Sequence, residues 1–318
     1  MLLLAAGMTG CIKSDNELYE KIKRVQPGSD IYSVASRQSE MSLDAATVGI
    51  RFAILLSEAD KQGKRDDLIH VEGSYEGSSA NLFARYFSSS AKIGTAEEST
   101  SYRLTFDASA GAIDIFQRTG VYLIDTKGLL LEETDSTTPW EVTVASDEML
   151  LTSSSVGRVA LYPEWVMQLY RSGSSYVIQV NGFVSRVAGA DPVSPYASNW
   201  NLRFVVSPQK EESNWSFSSV FTNTFEFYGT AEGETCYTYN NQSCAAMDYS
   251  VSSVDPLTYK PRLSPVYAIA GSETCELTRP SDYDATYFVS PKVTYKWSLS
   301  STNVLSYTIF YNGYQETF

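Results

Sequence analysis

The chain has 318 residues, 43% hydrophobic and 19% charged, so it can bury the core of one large domain or two ordinary domains. Its net charge of −13, with no Lys/Arg-rich stripe, argues against a nucleic-acid partner, because an acidic surface repels phosphate. The single histidine, His70, excludes zinc or haem sites that need several imidazoles, and we expect it to be structural or exposed.

The first eleven residues have the pattern of an export signal. Leu2–Ala6 is an apolar run too short to span a bilayer, and small residues follow it before Cys11. This order is typical of a signal peptide and its cleavage region. We therefore expect residues 1–10 to be removed on export. The alternative is a short apolar N-terminus with a cysteine there by chance.

Met8-Thr9-Gly10-Cys11 resembles the lipobox of bacterial lipoproteins, with Met8 in place of the usual Leu. The resemblance implies that the chain is cleaved just before Cys11 and that diacylglycerol is attached to the Cys11 thiol. Two or three acyl chains on one residue give stable anchoring, because each buried CH₂ contributes about 0.8 kcal/mol. The resemblance thus implies a membrane partner, reached through the lipid.

The residues after the lipobox bear on the membrane to which the protein is sent. Ile12 is not the Asp of an inner-membrane retention signal, and Ser14–Glu17 resembles the surface-export signal of Bacteroidetes lipoproteins. The resemblance implies an outer-membrane lipoprotein exposed at the cell surface. We predict that residues 11–41 form a lipidated tether, because they are polar and Pro27-Gly28 breaks any helix.

Residues 42–62 are predicted to form one helix. Ser42 can cap its N-terminus, apolar residues recur at helical spacing within Leu43–Ile54, and Gly63 follows basic residues as a stop. A strand is the competing interpretation, because every second residue within Val48–Leu56 is also apolar. The length of the segment and the glycine stop favour the helix.

From Leu68 onward the pattern is one of strands and turns, and the body spans residues 42–318. Strands recur at the spacing seen in sandwiches and barrels, and no long helix separates them. We therefore predict a mainly β fold: an antiparallel sandwich or barrel-like body with one N-terminal helix. In chain order the predicted strands are Tyr102–Phe106, Ala112–Phe116, Val121–Ile124, Leu129–Leu131, Trp140–Ala145, Val159–Leu161, Trp165–Tyr170, Tyr176–Val180, Phe183–Val187, Leu202–Val206, Trp215–Phe221, Thr224–Tyr228, Val293–Leu299 and Leu305–Tyr311.

Two stretches are predicted to be loops. The prolines of Asp191–Tyr196 mark a loop and a candidate domain border near 190–200, and residues 255–284 form a second loop-rich stretch. Within the latter, Asp282 and Asp284 are the type of oxygen donor that calcium prefers. Two acids alone do not make a calcium site, so we expect no metal and no cofactor.

Three cysteines besides Cys11 suit an oxidising compartment. The segment Cys236–Cys244 has the pattern of a hairpin tip, with Asn240-Asn241 able to take positive φ, so its two ends would face each other. We predict a Cys236–Cys244 disulfide. A Cys236–Cys275 bridge remains open, because both cysteines follow Glu-Thr, and either pairing leaves one thiol unpaired.

No nucleophile motif, Walker loop or dinucleotide-binding glycine pattern is present. A carboxylate pair could still cleave glycosides, although surface acids are the commoner explanation of such residues. The candidate acids are Glu132, Glu133, Asp147, Glu148, Glu164 and Glu226.

Aromatic residues beside polar ones suggest a carbohydrate site. Tyr196 and Trp200 flank Ala-Ser-Asn, a loop that could hold a sugar ring and its hydroxyls, with core packing as the alternative for Trp200. We expect Trp140, Trp165, Trp215 and Trp297 to be core residues, since they lie in predicted strands.

The sequence therefore predicts a non-enzymatic accessory or binding protein of the cell envelope. Its expected ligand is a carbohydrate or another envelope protein. A carboxylate-dependent glycoside hydrolase is the first alternative, and a structural surface or pilus-type component is the second. A pair of acids facing each other would mark the hydrolase, an aromatic platform the binder, and an exposed strand edge the structural component.

Overall fold

The structure is a computed structural model, and it describes residues 44–45, 48–63, 87, 92–95, 100–109, 116–153, 157–162, 165–187, 198–208, 224–237, 243–260, 268–277, 292–311 and 313–318. The predicted signal peptide, Cys11, the tether, His70, Glu164, Tyr196, Trp215–Phe221 and the Asp282/Asp284 pair lie outside these residues.

The described residues form one helix and sixteen strands. Helix α1 covers residues 44–45 and 48–61. The strands are β1 Lys92–Thr95, β2 Ser101–Ser109, β3 Gln117–Asp125, β4 Trp140–Val144, β5 Met149–Ser153, β6 Gly157–Leu161, β7 Val166–Ser172, β8 Ser175–Val187, β9 Ser198–Pro208, β10 Phe225–Tyr237, β11 Ser243–Val251, β12 Leu257–Tyr259, β13 Gly271–Leu277, β14 Lys292–Leu299, β15 Leu305–Tyr311 and β16 Tyr314–Thr317.

All the strands belong to one antiparallel sheet in which the spatial order follows the chain order. The order departs from this only where two strands pair with different parts of the same edge of one longer strand. For example, β4 and β5 pair with successive parts of β3, and β11 and β12 pair with successive parts of β10. The described strands β1 and β16 do not pair with each other, so the sheet is open. The predicted mainly β class is confirmed, with the antiparallel sheet and the single helix.

Helix α1 is confirmed over the strand alternative, and it lies inside the protein. From Val48 to Leu56 every described residue is buried, including Arg51, which is 2% exposed. At Gly49 the helix approaches the sheet so closely that a Cβ atom would stand 3.1 Å from Leu169 on β7 and 3.3 Å from Val142 on β4. A helix that is apolar on nearly all sides is expected to be enclosed.

The buried side chains form one main core cluster that runs from α1 through the strands to β15. Alternate residues enter this core in β4 and in β14, where Val293, Tyr295 and Trp297 are buried. Trp140 and Trp165 are also buried, as predicted. Since β8 and β9 pair with each other and both contribute to the same core, the described strands do not support a domain border near 190–200.

Two of the predicted strand assignments are wrong. Leu129–Leu131 is predicted to be a strand, but the strand that pairs with β3 is β4, and Leu131 begins a short 3-10 turn. The Glu133 carboxylate holds this turn by accepting a hydrogen bond from the Leu130 N–H at 2.8 Å. The predicted strands at 176–180 and 183–187 are one strand, β8, whose register with β9 shifts beside Gly182 at φ 67°.

The predicted loop-rich stretch 255–284 is wrong in part, because β12 and β13 lie within it. The predicted strands Val293–Leu299 and Leu305–Tyr311 are confirmed as β14 and β15, which pair as a hairpin with its turn around Asn303 at φ 59°.

Candidate functional site

Aromatic side chains accumulate on one face of the last three strands. On β14 the residues of odd number face the core, among them Tyr295 and Trp297. The register places Tyr307 of β15 directly opposite Trp297. Phe318 then lies opposite Tyr307, because each of these two residues donates its N–H to the carbonyl of the other, at 3.2 and 2.9 Å. Consecutive strands thus place rings side by side.

The rings of Tyr295, Tyr307 and Phe318 form a stacked column, which we call the aromatic column. The Tyr295 and Tyr307 centroids are 5.6 Å apart and those of Tyr307 and Phe318 are 5.3 Å apart, with 22° between the ring planes in both pairs. Trp297 supports the middle ring at 5.3 Å. Tyr295 is 2% exposed and Phe318 is 54% exposed, so the column runs from the core to an open ring.

A buried carboxylate lies next to the aromatic column, since Glu273 of β13 is opposite Tyr295 of β14. Glu273 of β13 is 5% exposed, and both of its oxygens accept hydrogen bonds from aromatic side chains. The Trp297 indole donates to Oε1 at 2.7 Å, and the Tyr249 hydroxyl donates to Oε2 at 2.6 Å. These two bonds fix the Trp297 ring, which in turn packs against Tyr307.

The surroundings of Glu273 suppress ionisation nearby. Burial, and then the negative charge of Glu273, raise the pKa of the Tyr249 hydroxyl well above its usual value. The same two causes, in the same order, raise the pKa of the Cys275 thiol. Both groups are therefore held protonated, and a protonated thiol is a poor nucleophile. This arrangement can position rings but does not activate a group for chemistry.

Trp200 has a buried side chain. It is 1% exposed on β9, which agrees with core packing, the alternative weighed for it. Tyr196 lies outside the described residues, so carbohydrate binding at this pair remains a prediction. Among the described large hydrophobic residues, Phe318 has the most exposed ring, at 54%, and it is far along the chain from that segment.

The candidate acids that can be placed are dispersed. Glu132 and Glu133 precede β4, whereas Asp147 and Glu148 follow it. The five residues of β4 span about 17 Å, which separates the two groups beyond the roughly 5–10 Å of a glycosidase pair. Glu226 lies on β10, with β7, β8 and β9 between it and β4 in the sheet.

Backbone register bears on the predicted disulfide. Cys236 and Cys244 are directly opposite on β10 and β11, although their side chains are outside what the structure describes. The alternative Cys236–Cys275 bridge is wrong. Cys275 is a buried free thiol level with Ala231, which is five residues or about 16 Å along β10 from Cys236, whereas disulfides need Cα atoms within about 7 Å.

The described residues provide neither a metal site nor a membrane-spanning helix. No group of three or more His, Cys, Asp or Glu side chains there could hold a metal ion. The helix within that part of the chain lacks the length and apolar character needed to cross a bilayer.

Sequence reasoning missed the aromatic column and Glu273. The sequence did contain a signal for the contact between Trp297 and Tyr307. Two predicted strands joined by a short turn form a hairpin, and in that hairpin these two residues are opposite each other. Strand β16, which Phe318 directly follows, was not predicted. Comparison with known proteins adds no relative: no family model, no curated protein and no solved structure matches the chain.

Proposed function

We propose that the protein is a lipid-anchored accessory protein of the bacterial cell envelope whose β-rich body binds a ligand without catalysing a reaction. The proposed anchor is the acylated Cys11, on the strength of the lipobox-like pattern, and the proposed location is the outer membrane at the cell surface. The proposed binding activity rests on one observation, the exposed Phe318 ring at the end of the aromatic column.

Physical reasons favour binding at this ring. Phe318 is held in place by stacking on Tyr307, so little side-chain entropy remains to be lost when a ligand contacts it. Aromatic rings that are packed on one face and exposed on the other are typical contact residues of interfaces. A carbohydrate or a segment of another envelope protein could each supply a complementary surface.

The dispersed positions of the candidate acids speak against the alternative of a carboxylate-dependent glycoside hydrolase. The second alternative, a structural surface or pilus-type component, is favoured by one observation. Strand β16 has a strand neighbour, β15, on one side only among the described strands. Such a free edge is what a subunit of an assembly uses to join the next.

The anchor is tested by expressing the full chain with labelled palmitate. We expect the wild type to be labelled and to partition into detergent, and Cys11→Ser to do neither. An unlabelled wild type would end the proposal for the anchor and leave the binding proposal untouched.

Binding is tested by incubating the purified full chain, kept in detergent, with detergent-washed envelopes and measuring the fraction that sediments. We expect Phe318→Ala to sediment several-fold less than the wild type. Phe310→Ala is the matched control, since Phe310 is also an exposed phenylalanine, on the neighbouring strand β15. Equal sedimentation of wild type and Phe318→Ala would contradict the proposed site. Release of reducing sugar from the envelopes would contradict the proposal that the body is not an enzyme.

A further inference from the structure

We propose that the free edge of β16 is a docking strand for an extended segment of another envelope protein. The segment pairs with the backbone of Gln315 and Thr317 and places an aromatic side chain on the open face of Phe318. This inference rests on the proposed binding function and names the class of partner.

The backbone geometry shows which groups point to the free edge. The N–H and C=O of Phe318 both bond to Tyr307 on β15. In an antiparallel strand these groups alternate in direction from one residue to the next. The N–H and C=O of Thr317 and Gln315 therefore point away from β15. No described strand pairs on that side.

Strand β16 lacks several of the devices that block an edge. Natural edges are protected by short length, lysine, proline, a bulge, an inward-pointing charge or a cover. Both β1 and β16 are only four residues long, and β16 carries one charge, Glu316, opposite the buried Ile309. The segment Tyr314–Phe318 contains neither lysine nor proline, and its register with β15 is unbroken from Thr317 to Tyr314. At the other end of the sheet, β1 carries both Lys92 and Gly94 within four residues. Of the two edge strands, β16 is the one suited to strand addition.

The exposed ring adds a side-chain contact to the backbone pairing. Tyr307 lies between Tyr295 and Phe318 in the aromatic column, so the open face of Phe318 is the one turned away from Tyr307, towards the free edge. Relative to an incoming strand, Phe318 occupies a non-hydrogen-bonded position, where opposite side chains lie closest. An aromatic residue placed there would extend the column by one ring.

Charge indicates that the segment belongs to a different protein. The chain carries a net charge of −13, and the only charged residue of β16 is Glu316, so a second copy would bring like charge to the edge. A segment that carries lysine or arginine complements the net negative charge of the chain. The expected partner segment is extended, basic and aromatic.

The test uses the full chain in detergent and a labelled peptide, Thr-Lys-Val-Tyr-Val-Lys-Thr. With its tyrosine opposite Phe318, the following valine pairs with Thr317. The control peptide replaces both valines by proline, which keeps the ring and the charges but removes the N–H groups needed for pairing. Fluorescence anisotropy measures the affinity of each peptide.

The decisive variant is Thr317→Pro, which removes an N–H that points to the free edge and leaves the ladder with β15 intact. Because this change also removes the hydroxyl that bonds to Thr308 at 2.9 Å, Thr317→Val is the matched control. Circular dichroism checks that each variant is folded. We expect Thr317→Pro to weaken peptide binding and envelope sedimentation at least tenfold, and Thr317→Val to change both by less than threefold.

The other outcomes overturn the inference in distinguishable ways. If Thr317→Pro sediments like the wild type while Phe318→Ala does not, the ligand stacks on the ring without strand pairing, as a carbohydrate would, and only the proposed function stands. If the wild type itself does not bind envelopes, the proposed function falls as well. If the wild type forms oligomers that Thr317→Pro abolishes, the partner is a second copy and the argument from charge is wrong.

Discussion

Asp44 of α1 and Arg118 of β3, 74 positions apart in the chain, form a buried ion pair with two hydrogen bonds. The Arg118 Nε donates to Oδ2 at 3.0 Å and Nη2 donates to Oδ1 at 2.5 Å. Asp44 is 4% exposed and Arg118 is 1% exposed. The guanidinium also lies 5.5 Å from the centre of the Phe106 ring. The pair therefore joins the enclosed helix to the sheet at a defined position along β3.

We predict that Arg118→Met lowers the free energy of unfolding by about 3–5 kcal/mol, because it removes the guanidinium that donates two hydrogen bonds to the buried Asp44 carboxylate. The double variant Arg118→Met with Asp44→Asn should lose less than the single variant, since it removes both charges. Urea unfolding followed by circular dichroism measures the three values. A loss below about 1 kcal/mol in the single variant would show that the pair does not hold the helix.

Tyr122 lies close to this ion pair, and for this residue we predict a substitution that does not lower the free energy of unfolding. Its hydroxyl is buried and has no hydrogen-bond partner among the residues that the structure describes. Burial and then the charge of Asp44 raise its pKa well above the usual value, against the opposing effect of Arg118. An unsatisfied buried hydroxyl costs about 1–3 kcal/mol. We therefore expect Tyr122→Phe to leave stability unchanged or raise it by about 1 kcal/mol, and a clear loss in urea unfolding would contradict the geometry.

Trp200→Ala separates the two interpretations of that residue. Because the side chain is 1% exposed in the main core, its removal should cost about 3–5 kcal/mol of stability. If the variant is as stable as the wild type but binds soluble polysaccharides more weakly, Trp200 is a ligand residue and the core assignment is wrong. The same urea titration and an affinity gel with soluble xylan decide between them.

The parts of the fold that the sequence predicted well are those with local signals. The alternation of β14 and β15 and the turn around Asn303 lie within twenty residues, so pattern alone indicates the hairpin. Strand β13 was missed because it reads Gly-Ser-Glu-Thr-Cys-Glu-Leu, a polar segment. One of its acids, Glu273, is buried only because Tyr249 and Trp297, both distant in the chain, satisfy its oxygens.

The errors have the same cause. Leu129–Leu131 has a local pattern that suits a strand, but β4 is the strand that pairs with β3. Strand β4 begins with Trp140, whose side chain is buried in the core. The exposed position of Phe318 depends on the register of three strands, and the burial of Trp200 depends on how the whole sheet encloses the core. A single sequence carries no direct record of such non-local contacts.

A surface turn gives a prediction for pH. Burial raises the pKa of Asp125, but hydrogen bonds from the side chain and backbone of Lys127 and from the Thr100 hydroxyl outweigh it, so the pKa is lowered overall. A lowered pKa in the folded state stabilises the fold above the unfolded value of about 3.9, and this contribution is lost as pH falls through the folded pKa.

Asp125→Asn keeps an acceptor for the Lys127 N–H and removes the charge. We expect it to lower stability by less than about 1 kcal/mol at pH 7, because Lys127 is 37% exposed and solvent screens the pair. The difference from the wild type should shrink as pH falls below the unfolded value of about 3.9 and through the folded pKa. Thermal unfolding at pH 7 and at a series of lower pH values checks this, and a difference that stays constant over the series would show that the carboxylate charge is not responsible.

The last prediction concerns the three cysteines of the body. Their environments differ: Cys236 and Cys244 are opposite each other on adjacent strands, whereas Cys275 is free, buried and held protonated. We predict one Cys236–Cys244 disulfide in protein exported to an oxidising compartment, because directly opposite positions bring Cα atoms within the range that a disulfide spans.

The native protein should therefore take up no iodoacetamide at Cys275 at pH 8, and one equivalent there after unfolding in urea without reductant. Peptide mapping under non-reducing conditions identifies the bridge, and mapping of the alkylated protein identifies the free thiol. Cys275→Ser is the control, which should remove the equivalent seen on unfolding and leave the bridge in place. Alkylation of Cys236 or Cys244 before reduction would contradict the pairing. Rapid alkylation of Cys275 in the native state would instead show that β13 opens to solvent, which a strand bonded on both sides, to β11 and β14, should resist.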